Sequence, residues 1–298
     1  MNAKWERIFA ALWTPTDGEG GVLRAELAAN LRFLQQHRID GVLALGSTGE
    51  FMLLTPDQRK ALLQAAMESA GDLAVIANIS DIRPGVVADL GRFAGSLGCA
   101  GIAIMAPPFY RVAQADLLEF FLRAGEAAQL PVLLYNFPER TGNRIELETI
   151  AAVAERLPLG GIKHSGEEWA YLGPLVKLGR EKNFSVLVGA DVRLAEAMAA
   201  GADGCIGGLV NVAADLLVDI FNAVKQGAPE KAQLPTERMK ELARRASVVS
   251  FPLSVAAAME ARGLPVGQPR TVLSASTREN YRRLVGELRQ LFREWKLT

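Results

Sequence analysis

Leu159-Gly160-Gly161-Ile162-Lys163-His164-Ser165-Gly166 is the stretch whose reading decides the fold. Its apolar half is short and does not alternate, which is the pattern of a strand buried on both faces of a parallel sheet. It ends at a lysine followed by a polar glycine turn. An ammonium at the end of an interior strand is partly desolvated; this lowers its pKa and frees a lone pair to attack a carbonyl. Two readings follow from the stretch alone. Lys163 is a Schiff-base lysine, or it is ion-paired with a carboxylate at the mouth of the fold.

Working outward, the same kind of run recurs at Ile8–Trp13, Gly41–Leu45, Leu73–Ala77, Gly101–Ala106, Pro131–Tyr135, Leu159–Ile162, Phe184–Val188 and Gly204–Gly207. Amphipathic patterns separate them, near Leu23–His37, Pro56–Ala70, Pro84–Leu97, Gln114–Gln129, Glu146–Arg156, Glu168–Arg180, Arg193–Ala200 and Ala213–Lys225. Eight strand-helix units in succession predict parallel strands joined by right-handed crossovers, and the closed α/β architecture that uses eight is the (β/α)8 TIM barrel. A doubly wound open sheet is the alternative. Thr55-Pro56-Asp57-Gln58 marks one helix start: a threonine cap, a proline at the first helical position and a glutamine three residues after the cap. Gly46 to Leu54 is then a loop at the carboxyl end of the second strand, where barrels build their active sites. After about Gly227 the alternation stops, and helical patterns near Leu234–Ala246, Leu253–Arg262 and Thr277–Trp295 follow without strands. The expected division is a barrel over residues 1–226 and a C-terminal helical extension over residues 227–298, which covers the barrel or a partner subunit.

Composition narrows the function. Lysine plus arginine equals aspartate plus glutamate at 33 each, which argues against a nucleic-acid or membrane surface as partner and leaves small-molecule chemistry. The only cysteines, Cys99 and Cys205, sit in apolar runs and read as buried free thiols in a reducing compartment. With His37 and His164 the only histidines, neither cysteine makes a metal motif and a zinc site built from imidazole and thiolate is not expected. The first apolar run, Ile8–Trp13, is too short for a secretory leader core or a membrane span, so a cytoplasmic location is expected.

The residues at the strand ends are Thr14, Ser47 and Thr48, Asn78, Pro107, Tyr135, Lys163, Gly189, and Gly207 or Gly208. Adjacent strands lie roughly 5 Å apart, so Tyr135 on the fifth and Lys163 on the sixth can face each other, and a phenol so placed can relay protons. A tyrosine that hydrogen-bonds only to a loop is the plainer alternative. Gly46-Ser47-Thr48-Gly49-Glu50 presents successive N–H groups and two hydroxyls, suited to a carboxylate or phosphate, or serves as an ordinary turn. Without a lysine and the longer glycine spacing of a phosphate loop, nucleotide binding is not supported. His164 lies on the opposite face of the strand from Lys163, since successive residues alternate, and is left out of the site.

Taken together, these motifs resemble the pyruvate-dependent class I lyases of the dihydrodipicolinate synthase and N-acetylneuraminate lyase family, from about Ile8 through Leu291. The resemblance is carried by Thr14-Pro15, Gly46-Ser47-Thr48-Gly49-Glu50, Pro107-Pro108-Phe109-Tyr110, Tyr135-Asn136-Phe137-Pro138, Gly161-Ile162-Lys163 and Gly189-Ala190-Asp191 on successive units. Phe251-Pro252 and Gly267-Gln268-Pro269-Arg270 match in the tail. The resemblance implies that Lys163 forms an imine with pyruvate or another 2-keto acid, that Ser47 and Thr48 hold its carboxylate, and that Tyr135 shuttles protons. It implies that Tyr110 reaches a neighbouring subunit's site to complete a relay with Tyr135 and Ser47, in a homotetramer of two tight dimers. Gly189 and Ile206 fall at substrate-binding positions, Ile206 near the bound ketone. Arg140 falls where the synthase branch takes the carboxylate of aspartate semialdehyde, a task suited to a planar bidentate donor, although it can also merely pair with Glu139. The expected activity is dihydrodipicolinate synthase-like condensation of pyruvate with aspartate semialdehyde. The alternatives are an aldolase or dehydratase for 2-keto-3-deoxy sugar acids, and a barrel that binds a keto acid without turnover.

Overall fold

A computed structural model describes residues 5–297; residues 1–4 and 298 of the expected spans lie outside the described residues. The chain runs β1 (Arg7–Ala11), α1 (Arg24–Gln36), β2 (Gly41–Ala44), α2 (Pro56–Ser69), β3 (Ala74–Asn78), α3 (Pro84–Ser96), β4 (Gly101–Met105) and α4 (Gln114–Ala128). It continues with β5 (Val132–Asn136), α5 (Pro138–Thr141), α6 (Leu147–Arg156), β6 (Leu159–His164), α7 (Leu172–Lys182), β7 (Ser185–Val188), α8 (Leu194–Ala199), β8 (Gly204–Gly207) and α9 (Val210–Lys225). Three helices follow, α10 (Gln233–Ala246), α11 (Leu253–Ala261) and α12 (Ala275–Trp295).

The strands close into a parallel barrel in chain order, β8 pairing with β1 through Phe9↔Ile206 and Ala10↔Gly207. Every residue of β2, β4, β5, β6, β7 and β8 is buried, as strands covered on both faces by lumen and helices must be. The open-sheet alternative is excluded by this closure. Among the described residues, no helix is long and apolar enough to cross a membrane.

Local chemistry explains the helix ends. Thr55 Oγ1 accepts the Gln58 N–H at 3.3 Å and Gln58 Oε1 accepts the Thr55 N–H at 2.9 Å, the reciprocal cap its sequence predicts. Several elements differ from expectation in their bounds. The polar residues Asn136 and His164 extend β5 and β6, because Asn136 accepts the Ile145 N–H at 3.1 Å and lies 3.3 Å from His164 Nδ1. The pattern at Glu168–Arg180 resolves into a single 3₁₀ turn, Trp169–Tyr171, and then α7. The pattern starting at Ala213 begins instead at Val210, with Ala213 itself out of helical geometry.

The tail covers the barrel it belongs to. α11 packs on α9 and α12, and α12 buries Leu284, Val285, Leu288, Leu291 and Phe292. α9 and α11 are tied by Arg262, whose Nη2 donates to Asp215 Oδ2 at 2.7 Å.

Candidate active site

Register places the two expected reactive groups side by side. Tyr135 on β5 pairs with Lys163 on β6, Lys163 with Leu187 on β7, and Leu187 with Gly204 on β8, so these residues share the lumen face. Lys163 is 4% exposed and Tyr135 2%, and the lysine Nζ lies 4.3 Å from the centre of the phenol ring. Ile206, two residues beyond Gly204, falls on the same face; it is fully buried and lines neither cavity described below. His164 turns the other way, its ring 5.1 Å from that of Tyr171, and burial pushes its imidazole below the usual range against the pull of Glu168 and Glu139.

Tyr135 OH lies 3.5 Å from Ser47 Oγ. Burial pushes the phenol up, but the Lys163 ammonium and the hydroxyls of Ser47 and Ser165 outweigh it, so its pKa lies below the ordinary value. A phenol that releases its proton more readily than usual, next to an amine and a hydroxyl, is equipped to pass protons along that line.

A cavity of about 490 Å³ opens above this pair, lined by Thr48, Gly189 and Arg140 together with Lys163 and Tyr135. A second, of about 300 Å³, carries Ser47 and again Arg140. Gly189 is needed for the close approach of its neighbours, since a Cβ there would sit 2.0 Å from Ser165 Oγ and 3.3 Å from Lys163 Cε. Arg140 sits in the one-turn helix α5, set at the barrel mouth by Pro138. Its guanidinium lies 5.8 Å from the Phe137 ring centre and has no hydrogen-bond or carboxylate partner among the described residues. Glu139 instead accepts the Glu167 N–H at 2.7 Å, so the pairing of Arg140 with Glu139 does not occur. Tyr110 is not brought to its own chain's site: it is 65% exposed, packs edge-on against Phe109 and lines neither cavity.

Two site residues escaped the sequence reading. Ser165, two residues beyond Lys163, lines the larger cavity. Asp191 lines it too, with Oδ2 accepting the Leu209 N–H at 2.8 Å and Oδ1 buried without a partner among the described residues. Burial pushes its carboxyl up to about 6, against the Leu209 N–H, the Lys163 ammonium and the Gly208 N–H. It fits only because residue 207 is glycine, whose Cβ would lie 1.3 Å from Oδ1. The signal for Asp191 was present in Gly189-Ala190-Asp191, but its meaning depends on a strand that follows. The tail closes the mouth, contributing Ser247, Ser250 and Ser254 to the larger cavity.

Comparison with known proteins agrees with this architecture. The model of the dihydrodipicolinate synthetase family matches residues 4–291. An uncharacterized DapA-like lyase of Halobacterium salinarum is 31% identical over 247 residues, 83% of this chain and 81% of that protein. The 4-hydroxy-tetrahydrodipicolinate synthase of Methanothrix thermoacetophila is 27% identical over 277 residues, 93% and 94% of the two chains. Among solved structures, YagE, a prophage protein of the dihydrodipicolinic acid synthase family from E. coli K12 in complex with pyruvate, superposes with a TM-score of 0.89. Its identity is 25%, over 99% of this chain and 100% of that one.

Proposed function

Because the chain belongs to the dihydrodipicolinate synthetase family, a family of Schiff-base lyases of the class I aldolase type, we propose that it joins pyruvate to aspartate semialdehyde through an imine on Lys163. The observation that carries the reading is the buried Lys163 Nζ 4.3 Å from the Tyr135 ring, with the phenol 3.5 Å from Ser47 Oγ.

The amine adds to the ketone carbon, and the carbinolamine loses water to give the protonated imine. That cation acidifies the adjacent methyl group, Tyr135 carries away a proton, and the resulting enamine carbon attacks the aldehyde. The new alkoxide takes up a proton, and water releases the lysine. Ser47 and Thr48 hold the pyruvate carboxylate, with Gly189 beside the ketone; Ile206, buried beneath the cavity floor, packs under the site without touching the substrate. Arg140, with no carboxylate partner among the described residues and lining both cavities, receives the carboxylate of the aldehyde. No cofactor takes part. Tyr110, with Phe109, Met52 and Leu53 exposed beside it in sequence and at the neighbouring loop, suits burial against a second copy, in a homotetramer of two tight dimers. Two buried free thiols, Cys99 and Cys205, suit the cytoplasm.

A specific observation favours a second reading. Ser165, Ser247, Ser250 and Ser254 add hydroxyls to the larger cavity, which suits a 2-keto-3-deoxy sugar acid cleaved or dehydrated at the same imine. Retention of both Lys163 and Tyr135 speaks against a barrel that only binds a keto acid. The deciding experiment is borohydride reduction in the presence of pyruvate followed by peptide mass mapping. An adduct on Lys163 is expected, and its absence overturns the enzyme reading. Turnover with pyruvate plus aspartate semialdehyde, set against a panel of sugar-derived keto acids, then separates the two substrates.

A further inference from the structure

We propose that Arg270, in the strap between α11 and α12, is a positioning residue that holds the turn Gly46–Glu50 in its carboxylate-binding shape. This rests on the reading of Ser47 and Thr48 as holders of the pyruvate carboxylate.

The turn does not hold itself. Leu45 and Glu50, at its two ends, have φ of 58° and 51°, left-handed conformations that non-glycine residues keep only where their surroundings over-determine them. At the first end, Asn78 Nδ2 donates to the Leu45 carbonyl at 2.7 Å. At the second end the partner is Arg270. Its Nη1 donates to the Glu50 carboxylate at 2.8 Å and to the Gly49 carbonyl at 3.2 Å, while Nη2 donates to the Thr14 carbonyl at 2.6 Å and to Thr14 Oγ1 at 3.2 Å. Thr14 Oγ1 donates in turn to the Gly49 carbonyl at 3.1 Å. Arg270 and Glu50 side chains are only 5% and 7% exposed, so the fork joins two strand-end loops inside the protein.

The strap that delivers Arg270 is itself fixed to the barrel. Trp13 Nε1 donates to the Val266 carbonyl at 2.9 Å, Asn30 Nδ2 to the Pro265 carbonyl at 2.9 Å, and the Gln268 N–H to the Thr16 carbonyl at 2.8 Å. The helical tail thus braces the far end of the turn through this guanidinium.

Charge gives the arrangement a direction. Glu50 places a buried carboxylate beside the turn that must receive another; among the described residues Arg270 is the one cation paired with it, and Thr271 Oγ1 donates to its other oxygen at 3.4 Å. Removing Arg270 both frees the turn and leaves an uncompensated negative charge next to the substrate anion. Removing the Glu50 charge leaves the bonds from Arg270 to Gly49 and Thr14 in place.

The test is the rate of borohydride trapping on Lys163 with pyruvate divided by that with pyruvamide, its neutral isostere, both below saturation. The ratio is independent of the fraction of protein that is folded. Arg270→Gln is expected to lower it about ten- to a hundredfold, the scale of a misplaced positioning group, while Glu50→Gln keeps or raises it. A wild-type ratio in Arg270→Gln, or an equal loss in both variants, overturns the proposal. If Arg270→Gln does not fold, Arg270→Lys, which keeps the charge and loses the fork, reads the same ratio: a drop supports the proposal and a wild-type value overturns it. No adduct with either ketone in the wild-type protein removes the imine reading itself, and this proposal with it.

Discussion

Asp191→Asn is expected to stabilise the protein at pH 7.5 and to leave its stability nearly unchanged at pH 4. Asp191 is 8% exposed, one carboxylate oxygen has no partner among the described residues, and its pKa is pushed up from the ordinary 3.8 to about 6. Between those two values the folded chain holds a proton that the unfolded chain has released. Wild-type stability therefore falls as pH rises through that window, and above pH 6 the full penalty of burying the anion is present. At 1.36 kcal/mol for each tenfold change in proton affinity, the penalty is about 3 kcal/mol. Asparagine carries no such proton and can still accept the Leu209 N–H. The difference in unfolding free energy between variant and wild type should grow from near zero at pH 4 to about 3 kcal/mol at pH 7.5. Urea unfolding of both proteins at the two pH values measures it. A difference that does not change with pH would refute the reasoning, as would a variant less stable than wild type at pH 7.5. A carboxyl kept at such a cost, in the cavity that holds Lys163, is expected to serve function, so the same substitution should slow adduct formation.

Two further substitutions separate the roles of the cavity residues. Tyr135→Phe removes the phenol proton and leaves the ring beside Lys163; kcat is expected to fall about 10²–10⁴-fold, while borohydride still traps pyruvate on Lys163. An unchanged kcat would take Tyr135 out of the chemistry. Arg140→Ala is expected to raise KM for the aldehyde by about ten- to a hundredfold, the worth of a charge-assisted hydrogen bond, with KM for pyruvate unchanged. A rise in the pyruvate constant instead would move Arg140 to the ketone side of the site.

What could be read from the sequence divides along the distance over which each signal acts. The barrel was legible because strand burial and helix caps are local: Thr55 and Gln58 satisfy each other three residues apart. So was the facing of Tyr135 and Lys163, since one strand end and the next lie in register. The ends of β5 and β6 were not legible, because Asn136 and His164 look like loop residues until each is seen to satisfy the other. Asp191 needs Gly207, sixteen positions later, to make room for it. Arg270 needs Glu50, 220 positions earlier, and no pattern within a window of sequence connects them.

On the choice left open at Lys163, covalent chemistry or a structural ion pair, comparison with the other buried cations supports the covalent reading. Arg59, Arg262 and Arg270 are each bonded to a carboxylate, Asp81 at 3.3 Å, Asp215 at 2.7 Å and Glu50 at 2.8 Å. Arg59 adds the Asn78 carbonyl at 3.0 Å, and Arg270 the carbonyls of Gly49 and Thr14. That is how a fold normally compensates a charge it removes from water. Lys163 is as buried as these, yet among the described residues it has no carboxylate within ion-pair distance; its neighbour is the face of a phenol. A lysine serving structure alone gains a cation–π contact there but not the ion pair that each of these arginines has. One that must alternate between ammonium, free amine and imine needs a site that does not hold the charged form too firmly, with a proton carrier next to it.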